Sequence, residues 1–448
     1  MFKHSGNNHL NMSGLLLLIV FAFSFSIQSY CQAKEEDRLA LTNVNIIDGK
    51  GGAPQNNMTV VIEAGIIRDI FPAGRKPLPK DYRVIELKGM YVLPGLIDTH
   101  VHLTGGYRSP EEADALLKFA LMGGVTAVRD MGGDAIEIAR LAENAKNNTT
   151  LSPRIYFSAL MAGPTWFKDP RAQASAHGQT AGEIPWLKAI TPETDIAQAV
   201  SQAKATGATG IKIYANLSAD LTKKVTAEAH RQGLKVWSHA TIFPARPGDA
   251  VNAGIDSISH AALLIYEAAD KVPEEYHSSQ SDIFALYSKT PANDQKIIDL
   301  LQKMKREGKI LDATLYVTSL LAQRSNPNAA ADPRLKWTYE VTKLARENGV
   351  TLVTGTDGMG RPGRDEVPNI HQEMELLVTM CGLTPAEAVT AATLNGAKAL
   401  GVENLYGTVS KSKAADLLIL RKNPLENIRH TREIYAVIKG GRFFRKPN

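Results

Sequence analysis

The sequence contains few cysteines, since Cys31 and Cys381 are the two found in a chain of 448 residues. Two cysteines support neither a disulfide framework nor a metal site built from thiolates, so both are excluded. An excess of charge of one sign is also lacking. The 51 Lys and Arg and the 46 Asp and Glu are dispersed along the chain and leave a net charge of +5. Without a basic patch, no nucleic-acid partner is expected.

Long hydrophobic runs are absent except at the N-terminus, where an apolar run covers residues 14–27 and follows Lys3. The run is shorter than the roughly 20 residues of a membrane-spanning helix and is typical of a secretory signal peptide. We expect residues 1–33 to be this signal, giving a periplasmic or secreted product without stable membrane insertion. Lipoprotein anchoring through Cys31 is less favoured, because Tyr30 stands where such signals have a small residue.

The two ends of the remaining chain share one pattern, short alternating apolar runs separated by turn residues such as Asp48-Gly49 and Gly440-Gly441. This pattern is typical of β-strands and tight turns. Hydrophobic residues make up 44% of the chain, enough for one large core and a satellite domain. We therefore expect segments 34–92 and 403–448 to form a small β-sandwich together, beside a central domain of residues 93–402.

In the central segment, runs typical of strands alternate with runs typical of helices, which favours an α/β fold with a parallel sheet. Helical stretches such as 222–232 and 293–307 end at Gly233 and Gly308. Eight candidate strands end near His102, Asp130, Leu160, Tyr214, His239, His260, Tyr316 and Asp357. Eight strands predict a (β/α)8 TIM barrel, whose active sites lie at the carboxyl ends of its strands. A doubly wound open sheet is the alternative.

His100 and His102 close the first of these strands. Because alternate side chains of a strand point to the same face, the two imidazoles can chelate one metal ion. A single His-x-His pattern is weak evidence, since two surface or core histidines would produce it too.

Four more candidate ligands stand at the ends of later hydrophobic runs: Lys212, His239, His260 and Asp357. Each residue also has an ordinary structural explanation. Lys212 could extend to solvent from a strand end, the two histidines could be core residues, and Asp357 could cap the next helix. All of these alternatives would have to hold together for the metal hypothesis to fail.

In this order, the His-x-His pair, Lys212, the two histidines and Asp357 resemble the binuclear subtype of the amidohydrolase superfamily. The runs 383–388 and 393–401 are similar to the branch with imidazolonepropionase-like and Xaa-Pro dipeptidase-like proteins. Imidazolonepropionase itself fits less well, since a resemblance to that enzyme implies a site with one metal ion and without the bridging lysine. The superfamily resemblance implies a (β/α)8 barrel with two divalent ions. His100, His102 and Asp357 would bind the first ion and His239 and His260 the second, and Lys212, carboxylated by CO2, would bridge them.

The ligand types indicate the chemistry. Neutral imidazoles and carboxylates suit Zn²⁺ or a similar ion, and two such ions lower the pKa of a shared water from 15.7 toward ~7. Asp357 is then the candidate catalytic residue, as general base toward this bridging water and general acid toward the leaving amine. Lys212 must be neutral to be carboxylated, and burial beside cations favours that form.

Substrate contacts are less marked in the sequence. Tyr214 lies two residues after Lys212 on the same strand face, and Arg361 follows Asp357 and could pair with a substrate carboxylate. The run 358–363 satisfies G-x-G-x-x-G, but Pro362 stands where a dinucleotide motif enters its helix, so a loop is expected.

Together these features predict a secreted hydrolase that cleaves the amide bond of a small substrate such as a dipeptide or N-acyl amino acid. A cyclic amide, lactone or ester hydrolase, and a non-catalytic binding protein on the same fold, are the alternatives. The expected partner is a small molecule, and a homo-oligomer is left open.

Overall fold

The computed structural model describes residues 38–104, 108–276, 281–325 and 331–446. The predicted signal peptide, with Cys31, lies outside the described residues. Among the helices in the described ranges, none is both long and apolar enough to cross a membrane.

The central segment folds into the predicted barrel. In chain order, barrel strands 1 to 8 are Leu96–Val101, Val125–Asp130, Arg154–Ala162, Gly210–Ile213, Lys235–His239, Ser257–Ser259, Ile310–Asp312 and Thr351–Val353. Each strand pairs in parallel with the next one. Strand 8 returns to strand 1, where the Thr99 amide donates to the Thr354 carbonyl at 2.9 Å. The (β/α)8 barrel is therefore confirmed, and the open-sheet alternative is excluded.

Strand 7 ends earlier than the sequence suggested. It stops at Asp312, and Tyr316 already belongs to the helix Leu315–Ser325. Thr314 breaks the strand with a left-handed φ of 52°. The carboxylate of Glu373 then accepts hydrogen bonds from the Leu315 and Tyr316 amides, which caps the start of the helix.

Helices separate the strands and cover the outside of the barrel. The helices among the described residues are Pro110–Met122, Ala135–Lys146, Pro170–Ala174, Ile196–Ala205, Ala219–Arg231, Pro247–Asn252, Ser281–Lys289, Gln295–Arg306, Leu315–Ser325, Pro333–Glu347, Ile370–Thr379, Pro385–Thr390 and Gly396–Leu400. The two helical stretches named from the sequence are present, beginning after the capping residues Ser218 and Asp294. Because helices cover the barrel, every residue of strands 1, 2 and 4 is buried.

The terminal segments form one continuous sheet with its own core. Its strands are Arg38–Ile46, Gln55–Glu63, Ile66–Pro72, Arg83–Glu86, Tyr91–Pro94, Leu417–Leu420, Ile434–Lys439 and Arg442–Arg445. The Arg83 guanidinium lies 5.6 Å from the Phe443 ring, so the sheet folds back over this core. Both chain ends contribute, as predicted, and the sheet extends to Pro94, past the predicted boundary at residue 92.

Buried polar contacts fasten the terminal sheet to the barrel. Arg154, at the start of strand 3, pairs with Asp416 at 2.7 Å. Lys439 is 3% exposed and donates to the Ala145 carbonyl at the end of a barrel helix, at 2.6 Å. These contacts leave the carboxyl ends of the barrel strands free for a site.

Candidate metal centre

The six predicted ligands come from five strands and lie together at the carboxyl ends of the barrel. His100 and Lys212 lie within strands 1 and 4, and His239 is the last residue of strand 5. His102 directly follows strand 1, and His260 directly follows strand 6. Asp357 lies four residues after the end of strand 8. Parallel strands with a common direction bring these ends to one rim.

His100, His102 and Asp357 form the tightest group, with one ligand atom of each within 4.8 Å of the others. Asp357 Oδ1 lies 3.3 Å from His102 Nε2 and 3.8 Å from His100 Nε2. Atoms that share a metal at about 2.0–2.2 Å are separated by such distances, so this trio can hold an ion.

His239 and His260 continue the group on its other side. The His260 ring centroid lies 4.9 Å from that of His100 and 4.7 Å from that of His239. The Lys212 side chain is 1% exposed, and the charges of Asp357 and of His239 both interact with it. The lysine therefore lies close to both Asp357 and His239.

Hydrogen bonds orient the imidazoles. His100 Nδ1 lies 3.0 Å from Asp312 Oδ2, and His102 Nδ1 lies 2.8 Å from the Gly132 carbonyl. A carboxylate and a carbonyl can only accept, so Nδ1 donates in both rings and a neutral ring leaves Nε2 bare. In both residues it is Nε2 that lies near Asp357.

Burial keeps three of the histidines neutral. It lowers the pKa of His100 below its usual value, lowers that of His260 to about 3, and lowers that of His239 well below the usual range. Positive charge on the neighbouring imidazoles acts in the same direction for His239 and His260. Neutral imidazoles are the form that binds a metal.

Asp357 keeps its negative charge although it is buried. Burial raises the pKa of this carboxyl, but the charge of His100 and a hydrogen bond with His102 outweigh that effect and hold the pKa below the usual range. The same hydrogen bond and the charge of Asp357 raise the pKa of His102, against the effect of burial. The site therefore presents one carboxylate beside three neutral imidazoles and His102, whose protonated form that carboxylate stabilises.

Two of the predicted ligands have a buried polar atom without a hydrogen-bond partner among the described residues: Lys212 Nζ and His239 Nδ1. An unpaired buried polar group costs about 1–3 kcal/mol, and such groups are rare in native structures. Burial, followed by the charge of Arg129, lowers the pKa of Lys212 to about 7, which favours its neutral amine. The residues present therefore fit a metal centre, in which each of these unpaired donors would have a partner.

Three residues at the same rim have a strained, left-handed backbone. His260, Thr314 and Asp357 are non-glycine residues with φ of 69°, 52° and 51°. Left-handed backbone costs about 1–3 kcal/mol for such residues and is retained mostly at functional sites. Thr314 Oγ1 lies 2.9 Å from His260 Nδ1, so one strained residue orients another.

Three buried residues of the centre were missed from the sequence: Asp98, Arg129 and Asp312. Asp98 accepts from the Thr356 hydroxyl at 2.7 Å and ties strand 1 to strand 8, and burial raises its pKa to about 7. Asp312 ends a strand as the predicted ligands do, which was a usable signal. Arg129, inside an apolar strand, carried none.

Aromatic side chains and one arginine line the mouth of the site. The Tyr214 ring lies 4.0 Å from His239 and 4.4 Å from Trp166. Burial raises the pKa of Tyr276, while the Arg171 guanidinium, which hydrogen bonds to it, acts in the opposite direction. Asp169 accepts from Arg171 Nη2 at 2.7 Å and holds it in place. Tyr214 therefore lies beside a candidate ligand, and its role as a substrate contact stays a prediction.

Arg361 lies elsewhere. Its side chain is 67% exposed and pairs with Asp365 at 3.2 Å. The segment from Gly358 to Asn369 contains no helix, so the glycine-rich run is a loop as expected. Arg171, which the sequence did not single out, is the arginine beside the aromatic side chains.

Comparison with known proteins agrees with this geometry. The model of the amidohydrolase family matches residues 91–444. The chain belongs to the amidohydrolase family. It is accordingly a hydrolase that acts on carbon–nitrogen bonds, as predicted.

Individual relatives of this amidohydrolase cover most of its length. It is 26% identical over 469 residues to the ochratoxinase of Aspergillus niger, covering 92% of this chain and 88% of the relative. It is 24% identical over 364 residues to the imidazolonepropionase of Colwellia psychrerythraea, covering 77% and 79%. A solved Xaa-Pro dipeptidase with methionine in its active site matches with a TM-score of 0.71 and 22% identity, covering 91% of this chain and all of that one. The predicted branch of the superfamily is confirmed.

Proposed function

We propose that this amidohydrolase is a binuclear metal hydrolase that cleaves the amide bond of a small substrate such as a dipeptide or an N-acyl amino acid. The observation that carries the proposal is the unpaired Lys212 Nζ, buried close to Asp357 and His239. His100, His102 and Asp357 would hold one divalent ion, and His239 and His260 the other. Imidazole and carboxylate donors without thiolates favour Zn²⁺.

Lys212 would bridge the two positions after carboxylation. Its neutral amine forms an N–C bond with CO2 and releases one proton, which converts an unpaired nitrogen donor into an anionic carboxylate. A lysine whose pKa is lowered to about 7 is partly neutral at neutral pH and can react. The carbamate would then satisfy the polar group that burial leaves unpaired.

Amide hydrolysis needs a nucleophile, a polarised carbonyl and a proton for the leaving nitrogen. When bound, the ions supply the first two by activating water and polarising the carbonyl oxygen. Asp357 supplies the third, because its carboxylate is ionised and lies beside both imidazoles of the first position. One oxygen of Asp357 accepts a proton from the attacking water and then donates it to the departing amine.

The mouth supports a substrate with a carboxylate and an apolar group. The Arg171 guanidinium suits a carboxylate, and the rings of Tyr214, Trp166 and Tyr276 suit an apolar side chain. A dipeptide or N-acyl amino acid has both parts next to its amide bond. Tyr214, predicted from strand parity, is the proposed contact nearest the metal ligands.

The test is a substrate panel assayed with metal-loaded protein after elemental analysis. We expect about two divalent ions per chain and turnover of free dipeptides or N-acyl amino acids above that of C-terminally amidated dipeptides, cyclic amides and lactones. A metal content that plateaus at one ion or none would overturn the binuclear site. Preferred turnover of lactones or cyclic amides would overturn the substrate class.

We also propose that the protein is exported, with residues 1–33 removed. The apolar run of residues 14–27 supports this. N-terminal sequencing of the protein from its native cells would locate the first residue. A mature protein that begins at Met1 would contradict export by a cleaved signal.

A further inference from the structure

Barrel strand 7 contributes none of the predicted metal ligands, yet its last residue contacts one of them. Asp312 Oδ2 accepts from His100 Nδ1 at 3.0 Å and from the Ser259 hydroxyl at 3.2 Å. Asp312 is fully buried and His100 is 1% exposed. The carboxylate therefore fixes the ring orientation of His100 through Nδ1, the nitrogen that does not face Asp357.

A glycine just after strand 8 leaves room for the Asp312 carboxylate. Gly355 packs against the carboxylate so closely that a Cβ at this position would lie 2.2 Å from Asp312 Oδ1. A residue with any side chain would have to push the carboxylate aside. The position of Asp312 is thus set by a close approach of the backbone, as well as by its hydrogen bonds.

Arg129 lies on the other side of Asp312. The guanidinium is fully buried, its Nη2 lies 3.6 Å from Asp312 Oδ2, and its Cζ lies 4.7 Å from the Trp237 ring. Arg129 Nε donates to the Thr99 carbonyl at 2.5 Å. Both terminal nitrogens of Arg129 lack a hydrogen-bond partner among the described residues.

Such a buried pair is a poor source of stability. Taking two charges out of water costs several kcal/mol each, and well-packed apolar residues often replace a buried pair without loss. A charge network retained in a barrel core despite this cost points to a role in holding a neighbouring group. The group held by Asp312 is His100.

We propose that Asp312 and Arg129 are positioning residues for the metal centre, which hold His100 with Nδ1 protonated and Nε2 directed at the first metal position. The inference rests on the proposed function, since it concerns a ligand of that centre. Arg129 acts through Asp312, and Asp312 acts through His100. A carboxylate behind a ligating histidine sets its tautomer and raises its basicity.

The test compares metal affinity and stability in full-length protein. Asp312→Asn keeps the shape and removes the charge, Arg129→Met removes the charge at similar length, and Gly355→Ala displaces the carboxylate without changing any charge. We expect each to weaken binding of the first ion about 10–100-fold, measured by competition with a chromophoric chelator. Removing one partner of a buried ion pair also destabilises the folded chain, so the affinities are compared under conditions where urea unfolding shows each apo protein to be folded.

Asp256→Asn is the matched control. Asp256 accepts from His230 Nε2 at 2.8 Å at the start of strand 6, the opposite end of the barrel from the centre. The substitution removes a carboxylate–histidine contact that is partly exposed and far from the metal centre, and it should leave metal affinity unchanged.

A second measurement separates positioning from a structural role. In protein with ¹⁵N-labelled histidine, the wild type should show a hydrogen-bonded Nδ1 proton for His100 with metal bound, assigned by its loss in His100→Gln. Asp312→Asn should shift this resonance. If Asp312→Asn binds metal as tightly as wild type, or loses apo stability while keeping its metal affinity, the positioning role is wrong.

Ser259→Ala covers the case in which Asp312→Asn does not fold. It removes one donor to Asp312 and should weaken metal binding a few-fold in the same direction, and unchanged affinity would contradict the inference. A wild-type protein that binds no metal would instead overturn the proposed function. The two failures are therefore distinguishable.

Discussion

Asp357 Oδ1 lies 3.3 Å from His102 Nε2, although the two residues follow the last and first strands of the barrel. The Asp357 amide also donates to the His100 carbonyl at 2.8 Å, which locks the ends of strands 8 and 1 together. Barrel closure thus places the candidate proton acceptor against the His-x-His pair.

Replacing Asp357 with Asn separates the role in proton transfer from the role as ligand. The Asn side chain keeps its shape and one oxygen donor but has no basicity. We expect most of the metal to remain, by elemental analysis, while kcat falls ~10²–10⁴-fold, the usual effect of losing a general acid–base group. Near-normal kcat with both ions bound would mean that Asp357 is only a ligand.

Replacing Lys212 with Ala should remove the bridge. Metal content should fall from about two ions per chain toward one or none, and activity should be lost, because no donor remains between the two positions. Acetate or formate, which can occupy the vacant bridge, should restore part of the activity. Lys235→Ala is the control, since Lys235 pairs with Asp256 at the start of strand 5. Full activity and two ions in Lys212→Ala would refute the carboxylated lysine.

Arg171 and Arg361 can be compared directly as carboxylate ligands. Arg171→Met should raise KM for a free dipeptide about 10-fold or more and leave an amidated dipeptide nearly unaffected, because only the former has a carboxylate to pair with. Arg361→Met should change neither KM, since Arg361 is exposed and pairs with Asp365. The reverse result would return the assignment to Arg361.

His371 predicts a loss of stability in acid. Burial lowers its pKa from 6.5 to about 4 in the folded protein. Between these values the unfolded chain binds more protons than the folded one, so stability is complete above pH 6.5 and falls as the pH approaches 4. The loss is on the order of 3 kcal/mol at its limit.

The measurement for His371 is urea unfolding of metal-free protein at pH 7 and pH 4.5, in wild type and His371→Gln. The variant keeps a donor toward the Gly123 carbonyl, which His371 Nε2 contacts at 2.9 Å. The difference in unfolding free energy between the two pH values should be smaller in the variant. Equal differences would show that His371 does not control this pH window.

Much of the fold could be predicted because the signals are local. Strand parity relates His100 to His102 and Lys212 to Tyr214, and hydrophobic runs ending in polar residues mark the carboxyl ends of barrel strands. The end of strand 7 was misplaced by a few residues, because the left-handed Thr314 and the capping carboxylate of Glu373 have no signature in the local pattern.

The local pattern of residues was thus sufficient for the barrel and for the identities of the candidate ligands. Their orientation depends on packing between distant segments. Asp312 and His100 are 212 residues apart, and their contact exists only because strands 1 and 7 lie near each other once the barrel closes. Arg361 and Arg171 differ for the same reason. Both follow barrel strands and both side chains are more than half exposed, but Arg171 lies on the helix Pro170–Ala174 and contacts Tyr276 of the mouth, whereas Arg361 lies in a loop and pairs with Asp365. The sequence alone shows which residues of a strand share a face. Which side chains contact one another depends on which strands become neighbours in the barrel and on how their residues align.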